Sequence, residues 1–194
     1  MLDVLGLRAH GRYKQDAYRR QSAQERPRRH REEASPLRLL RPACPPVALR
    51  RLRLETQEPI QLIDITNAVA EQVRDVGQRE GMVTIFSRHT TAAIRIQEDE
   101  PLLRQDLCDF LARCAPRQAY YRHNDFAIRT EHMHPDESPN GHAHCLHLLL
   151  GSSETVPVSA GELQLGTWQR LFLVELDGPR PDREVLLQLL SIEP

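Results

Sequence analysis

Seven of the nine histidines occupy two places in the chain: His89 stands alone, and six fall between His123 and His147. Neutral imidazole is the commonest nitrogen ligand for zinc and related metals, and a three-ligand site needs separate loops to converge. Glu131-His132-Met133-His134 and His142-Ala143-His144 each carry H-x-H, and His144 and His147 are three residues apart. No single spacing is a metal motif in the way a pair of CxxC steps would be. The cluster as a whole points to metal binding or general-base chemistry, whereas His132 and His134 individually read as solvated loop residues.

Three further segments could do chemistry. His89-Thr90-Thr91 follows the apolar run Met82–Phe86, and a histidine at a strand end, trailed by two hydroxyls and free amides, suits a metal and an anionic ligand. Asp106 comes three residues after Leu103 and four before Phe110, which places it on the apolar stripe of a helix. A carboxylate there must be paired, hydrogen-bonded or coordinated. An ion pair with Arg95 or Arg122 and a role in a site are both open. Gly166-Thr167-Trp168-Gln169 sets a glycine, a hydroxyl, an indole and an amide at a strand start, where Trp168 reads as a core anchor. Asp177-Gly178-Pro179-Arg180 is a turn signal, and a hairpin accounts for its first three residues.

These residues need a scaffold, and its elements are legible. Alternation marks a strand near residues 47–56, and Ile60–Ile65 gives a second that ends at Thr66, a helix cap. Val69, Val73 and Val76 recur at helical spacing up to Gly77. Met82–Phe86 and Thr91–Gln97 are strands. Glu98-Asp99-Glu100 before Pro101 starts a helix to about Ala115, with Leu103, Leu107, Phe110, Leu111 and Cys114 as its buried stripe. A short helix over 143–150 ends at Gly151. Strands follow at 154–158, 163–165, 168–176 and 183–192. Strands before and after two to three helices predict a single α+β domain over 47–194, with a largely antiparallel mixed sheet.

Composition bounds the rest. The chain has 194 residues, of which 40% are apolar and 27% charged, enough for one domain with a real core. No apolar run approaches the roughly 20 residues of a membrane helix, and the first residues carry no secretory pattern. Four cysteines without a CxxC pair favour a reducing, cytoplasmic setting over a disulfide framework. The net charge of -1 hides an asymmetry: residues 1–53 hold 14 basic against 5 acidic side chains. Residues 1–46 have no sustained apolar period, so they are expected to form a disordered extension with no specific nucleic-acid target.

SRHTTAAIRIQEDEPLLRQDL, YRHND, PNGHAHCLHLLLGSSETVPV and LGTWQRLFLVELDGPR, in that order, resemble the YjbQ family, also described as secondary thiamine-phosphate synthase enzymes. The resemblance runs from Val47 to about Leu190 and leaves residues 1–46 outside. It implies a small α+β fold assembled as a homotrimer, with the site close to subunit boundaries. The family's recurring polar residues correspond here to His89, Thr90, Glu98, Asp106, His123 and His144. They continue in Gly166, Thr167, Trp168, Gln169, Asp177 and Arg180. One departure is that Pro181-Asp182 follows DGPR where family members usually carry more basic residues.

The reaction so implied joins a pyrimidine-methyl pyrophosphate to a thiazole phosphate and expels pyrophosphate, so a small phosphorylated metabolite is the expected partner. His89, Asp106 and Glu98 are the expected catalytic residues, and His89, His123 and His144 the expected ligands of a divalent metal, zinc or magnesium. Thr90, Thr91, Gly166, Thr167, Gln169 and Arg180 are expected near the substrate. A non-catalytic trimer binding a metal or a phosphorylated metabolite, and a metal-dependent hydrolase, are the alternatives.

Overall fold

Eight strands and three helices follow one another along residues 47–192, which the computed structural model describes; the expectations for residues 1–46 lie outside them. The strands are β1 (Val47–Thr56), β2 (Gln61–Asp64), β3 (Gly81–Ser87), β4 (Ala92–Gln97), β5 (Ser153–Ser159), β6 (Glu162–Leu163), β7 (Arg170–Glu175) and β8 (Arg180–Ser191). The helices are α1 (Thr66–Asp75), α2 (Pro101–Cys114) and α3 (Gly141–Leu150), with a 3-10 turn at Arg122–Asn124. The expected α+β class with antiparallel pairing is present, resolved into two sheets rather than one. Five strands pair in the order β1-β8-β3-β5-β6 and three in the order β2-β7-β4, with every neighbour antiparallel.

Strand periodicity distributes the core. Leu171 and Leu173 of β7 point into an apolar layer with Val83, Ile85, Val185, Leu187 and Leu189 of the larger sheet, joined by Val69 and Val73 of α1. Phe172, Val174 and Leu176, of opposite parity, pack with Leu111 of α2 and with Ala143 and Leu146 of α3. β7 is therefore covered on both faces, which is why its sequence is a continuous apolar run rather than an alternation. Glu175 shares the parity of Leu171 and Leu173, so its carboxylate faces the layer between the sheets.

Several expectations need correction. Asp106 is on the exposed side of α2 and makes no hydrogen bond or ion pair among the described residues. The helix turns Leu103, Leu107, Cys108 and Leu111 inward, leaving Phe110 55% exposed and Cys114 exposed. Arg95, one suggested partner of Asp106, pairs with Glu154 instead at 2.8 Å. Trp168 is 71% exposed, because it lies in the turn before β7 and not within the strand. Thr66 is the first residue of α1 rather than its cap. Its N–H is taken by Asp64 Oδ1 at 2.8 Å, and its hydroxyl accepts the N–H of Leu171 at 2.8 Å. The segment from Asp177 to Arg180 is no hairpin, since β7 and β8 belong to different sheets.

That last difference organises the molecule. Three of the chain's passages between the sheets are the short segments Thr56–Gln61, Ser87–Ala92 and Glu175–Arg180. Strand registers put these crossings at one end: Thr56 is opposite Arg180, and Glu175 is opposite both Gln61 and Ala92.

Candidate functional site

Crossing segments cannot satisfy their backbone by sheet pairing, so side chains must do it, and this end of the fold is correspondingly polar. Glu175 is fully buried and accepts from the Thr56 hydroxyl (3.0 Å), from the N–H groups of Leu176 (3.0 Å) and Asp177 (2.8 Å), and from the fork of Arg183. Arg183, 5% exposed, also donates to Thr91 Oγ1 at 3.1 Å. Burial alone would raise the Glu175 pKa. The bonds from Arg183 and the Asp177 N–H outweigh it and hold the carboxyl below its ordinary value. Thr91, expected to touch substrate, is thus buried and used internally, while Thr90 beside it is exposed.

Asp177 continues the network outward. Its buried carboxylate pairs with Arg180, accepts from Asn140 Nδ2 at 3.2 Å, and its carbonyl accepts from Arg180 Nε at 3.0 Å. Arg180 Nη1 makes no hydrogen bond within the described residues. Asn140 precedes α3, and the turn of YRHN packs beneath it. Gly141 donates to Asn124 Oδ1 at 2.8 Å, and a Cβ at Gly141 would lie 2.6 Å from Tyr121 Cβ. The glycine of NGHAH is therefore a close-approach position. Gly178 is another, since a Cβ there would lie 2.1 Å from the carbonyl oxygen of Glu58.

This packing brings His123 and His144 edge to face, with ring centroids 4.7 Å apart. His123 Nε2 lies 3.3 Å from Arg129 Nη1 and 3.4 Å from Glu137 Oε1, and Arg129 and Glu137 form a close ion pair. Burial and then the neighbouring His123 lower the His144 pKa, while Asp177 and Glu137 pull it up. His144 is consequently a neutral imidazole at pH 7. His142, the first histidine of NGHAH, is 3% exposed. Its Nδ1 and the Oδ1 of Asn140 are buried without a hydrogen-bond partner among the described residues.

His89 occupies the crossing between β3 and β4. Its Nε2 accepts the N–H of Glu184 at 2.8 Å, which assigns the ring proton to Nδ1. Burial, followed by the charge of Arg183, lowers its pKa. The expected trio of metal ligands is therefore not gathered. Nε2 of His89 is occupied by a backbone amide, and Nε2 of His123 has a guanidinium against it. Among the described residues no group of three or more His, Cys, Asp or Glu side chains is placed to hold a metal ion. Within one chain, His89, His123 and His144 are therefore not assembled around a divalent cation.

The remaining expected residues sit elsewhere. Glu98 follows β4, and Gly166, Thr167, Trp168 and Gln169 precede β7, at the end of that strand away from Glu175. Five residue steps of strand separate Arg170 from Glu175, about 17 Å. The GTWQ turn is closed on itself: Gly166 N donates to Gln169 Oε1 at 2.8 Å and Gln169 N to the Gly166 carbonyl at 2.9 Å. Sequence reasoning missed Glu175, Arg129 and Glu137 as members of the network. Glu175 could have been found as the one charge inside LFLVEL. Arg183 shares the inward parity of Val185, Leu187 and Leu189, which signals its burial.

A family model described as UPF0047 protein YjbQ-like matches residues 50–192. A UPF0047 protein of Methanothermobacter thermautotrophicus is 42% identical over 137 residues, 71% of this chain and 88% of that protein. UPF0047 protein YugU of Bacillus subtilis is 32% identical over 134 residues, 68% of this chain and 92% of its own. Among solved structures, a YbjQ-like protein of unknown function from Sulfolobus solfataricus superposes with a TM-score of 0.68 at 33% identity, covering 76% of this chain and 99% of that one. A hypothetical protein from Aeropyrum pernix gives 0.66 at 34% identity, covering 75% and 99%.

Proposed function

Because the chain belongs to the YjbQ-like UPF0047 family, we propose that its His123–His144 cluster binds a small phosphorylated metabolite and carries thiamine-phosphate-synthase-like transfer. One observation carries the reading. A neutral, partly buried His144 stands beside His123 and near the buried Asp177, whose Arg180 partner keeps one nitrogen without a hydrogen bond among the described residues.

In that reaction a thiazole nitrogen attacks the methylene carbon of the pyrimidine pyrophosphate. The C–N bond forms, the C–O bond breaks, and pyrophosphate leaves with the bonding pair. Arg180 is the residue to take up leaving-group charge, since its planar fork can meet phosphate oxygens while Asp177 fixes its orientation. His144 and His123 would hold or pass a proton at the substrate. No step is assigned to a divalent metal, because the three expected ligands are not assembled within one chain.

The same reading includes a homotrimer. Val47, Leu49, Met82 and Phe86 leave an exposed apolar face on the larger sheet, of the kind that marks association surfaces. Glu98 and the GTWQ turn, about 17 Å from Glu175 along β7, would join a His123–His144 cluster only by way of a neighbouring copy. No helix among the described residues is long and apolar enough to cross a membrane.

The test supplies both thiamine precursors to purified protein and to its Arg180→Ala and His144→Ala variants. Thiamine phosphate formation that falls at least tenfold in both variants supports the reading. Absence of turnover, or turnover indifferent to both changes, removes it. Tight binding of phosphorylated metabolites without turnover marks the non-catalytic alternative.

A further inference from the structure

Ser152 and His147 form a hydroxyl–imidazole pair that the cluster above does not use. His147 lies in the last turn of α3, three residues after His144 on the same flank. The helix ends at Gly151, whose φ of +86° suits glycine. The chain then turns back to place Ser152 Oγ 3.1 Å from His147 Nε2. Both partners are fixed by backbone bonds. Gly151 N donates to the His147 carbonyl at 2.7 Å, Ser87 N to the Ser152 carbonyl at 2.8 Å, and Ile94 N to the Gly151 carbonyl at 3.3 Å. Neither residue is sealed from solvent. Burial lowers the His147 pKa, so the ring is neutral at pH 7 and able to accept a proton.

A serine hydroxyl within hydrogen-bond reach of a neutral imidazole is the nucleophile–base arrangement of covalent catalysis. We infer that Ser152, with His147 as its general base, is a nucleophile toward small activated esters. Ser152 Oγ attacks the ester carbonyl carbon and forms the new C–O bond while His147 Nε2 takes the hydroxyl proton. The ester C–O bond breaks, and the leaving alkoxide carries that proton away as alcohol. Water then attacks the acyl-serine, gives a proton to His147, and releases the acid as the proton returns to Ser152. This activity is independent of the proposed transferase reading.

A small alkyl fluorophosphonate tests it on the full chain and spares the thiols. The P–Oγ bond forms, the P–F bond breaks, and fluoride leaves as His147 takes the proton. Peptide mapping is expected to find the adduct on Ser152. The adduct should vanish in Ser152→Ala and persist in Ser153→Ala. His147→Gln should slow labelling on the order of a hundredfold, with each variant checked by thermal melt. No adduct on the wild-type chain, an adduct on another residue, or an unchanged rate in a folded His147→Gln variant would overturn the inference. The hydrogen bond would then be only a tie between α3 and the residue that precedes β5. Loss of labelling leaves the transferase assay untouched, so the two readings fail separately.

Discussion

Arg183 lies along both carboxylate oxygens of Glu175, with its Nε 2.6 Å from Oε2, and the pair joins the two sheets through side chains sealed from water. Glu175 is in the three-stranded sheet and Arg183 in the five-stranded one, with Thr56 and Thr91 completing the network. All three chain crossings at this end touch it, so it fixes the crossings relative to one another. Breaking a buried pair leaves one unmatched charge, which costs far more than the intact pair contributes over an apolar replacement.

Glu175→Gln is therefore expected to destabilise the protein by about 3–5 kcal/mol, read by urea denaturation. The double change Glu175→Leu with Arg183→Met should cost less than the single one. Because the folded Glu175 pKa lies below the ordinary 4.5, its contribution is complete above that value. It is lost as pH falls through the depressed folded pKa. A single variant as stable as the wild type at pH 7 would show that the pair does not join the sheets.

His144 should titrate below the ordinary 6.5 when followed by its ring-proton resonance, since burial and His123 both disfavour its charged form. Asp177→Asn should lower the midpoint further, because the Asp177 carboxylate acts in the opposite direction. A depressed imidazole contributes stability that is full above 6.5 and is lost as pH falls through its folded pKa. His144→Gln should accordingly flatten the stability slope between about pH 7 and pH 5. A midpoint at or above 6.5 would contradict the environment described.

Gly141→Ala forces a methyl to within 2.6 Å of Tyr121 Cβ, and the two backbones cannot separate without moving the 3-10 turn that carries His123. A loss of about 1–3 kcal/mol is expected, together with a change in the His123 resonance. An unperturbed His123 in this variant would show that the glycine does not set the position of that ring.

Asp106→Ala supplies the contrast. The side chain is exposed on α2 and has no partner among the described residues, so stability should change by no more than about 0.5 kcal/mol. Asp177→Ala, which strips a buried partner from Arg180 and Asn140, should cost several times as much. If thiamine phosphate formation is found and Asp106→Ala abolishes it, Asp106 acts from an assembly with another copy.

Deleting residues 1–46 is expected to leave melting temperature and oligomer size unchanged at physiological salt. The family match begins at residue 50, and residues 1–46 carry no sustained apolar period with which to dock. A melting loss of more than a few degrees would assign that segment to the folded structure.

Local pattern determined most of the elements. Alternation marked β1, Pro101 after three acids marked the start of α2, and Gly151 marked the end of α3, because backbone preference and apolar period act within a few residues. The order and class of the fold followed from those elements. Which side of a helix is buried did not, and Asp106 shows why: two helix faces of similar apolarity were available, and only packing against β2 and β7 chose between them. The segment from Asp177 to Arg180 looked like a hairpin because turn residues specify a change of direction, not which sheet the next strand enters. His89, His123 and His144 were legible as chemistry-bearing residues, but their convergence depends on where long-range contacts place them. Tertiary structure put His144 beside His123, gave Nε2 of His89 to the backbone of Glu184, and sealed Glu175 with Arg183. Burial and partners set the charge state of each of these groups, and both belong to the folded chain rather than to any short stretch of it.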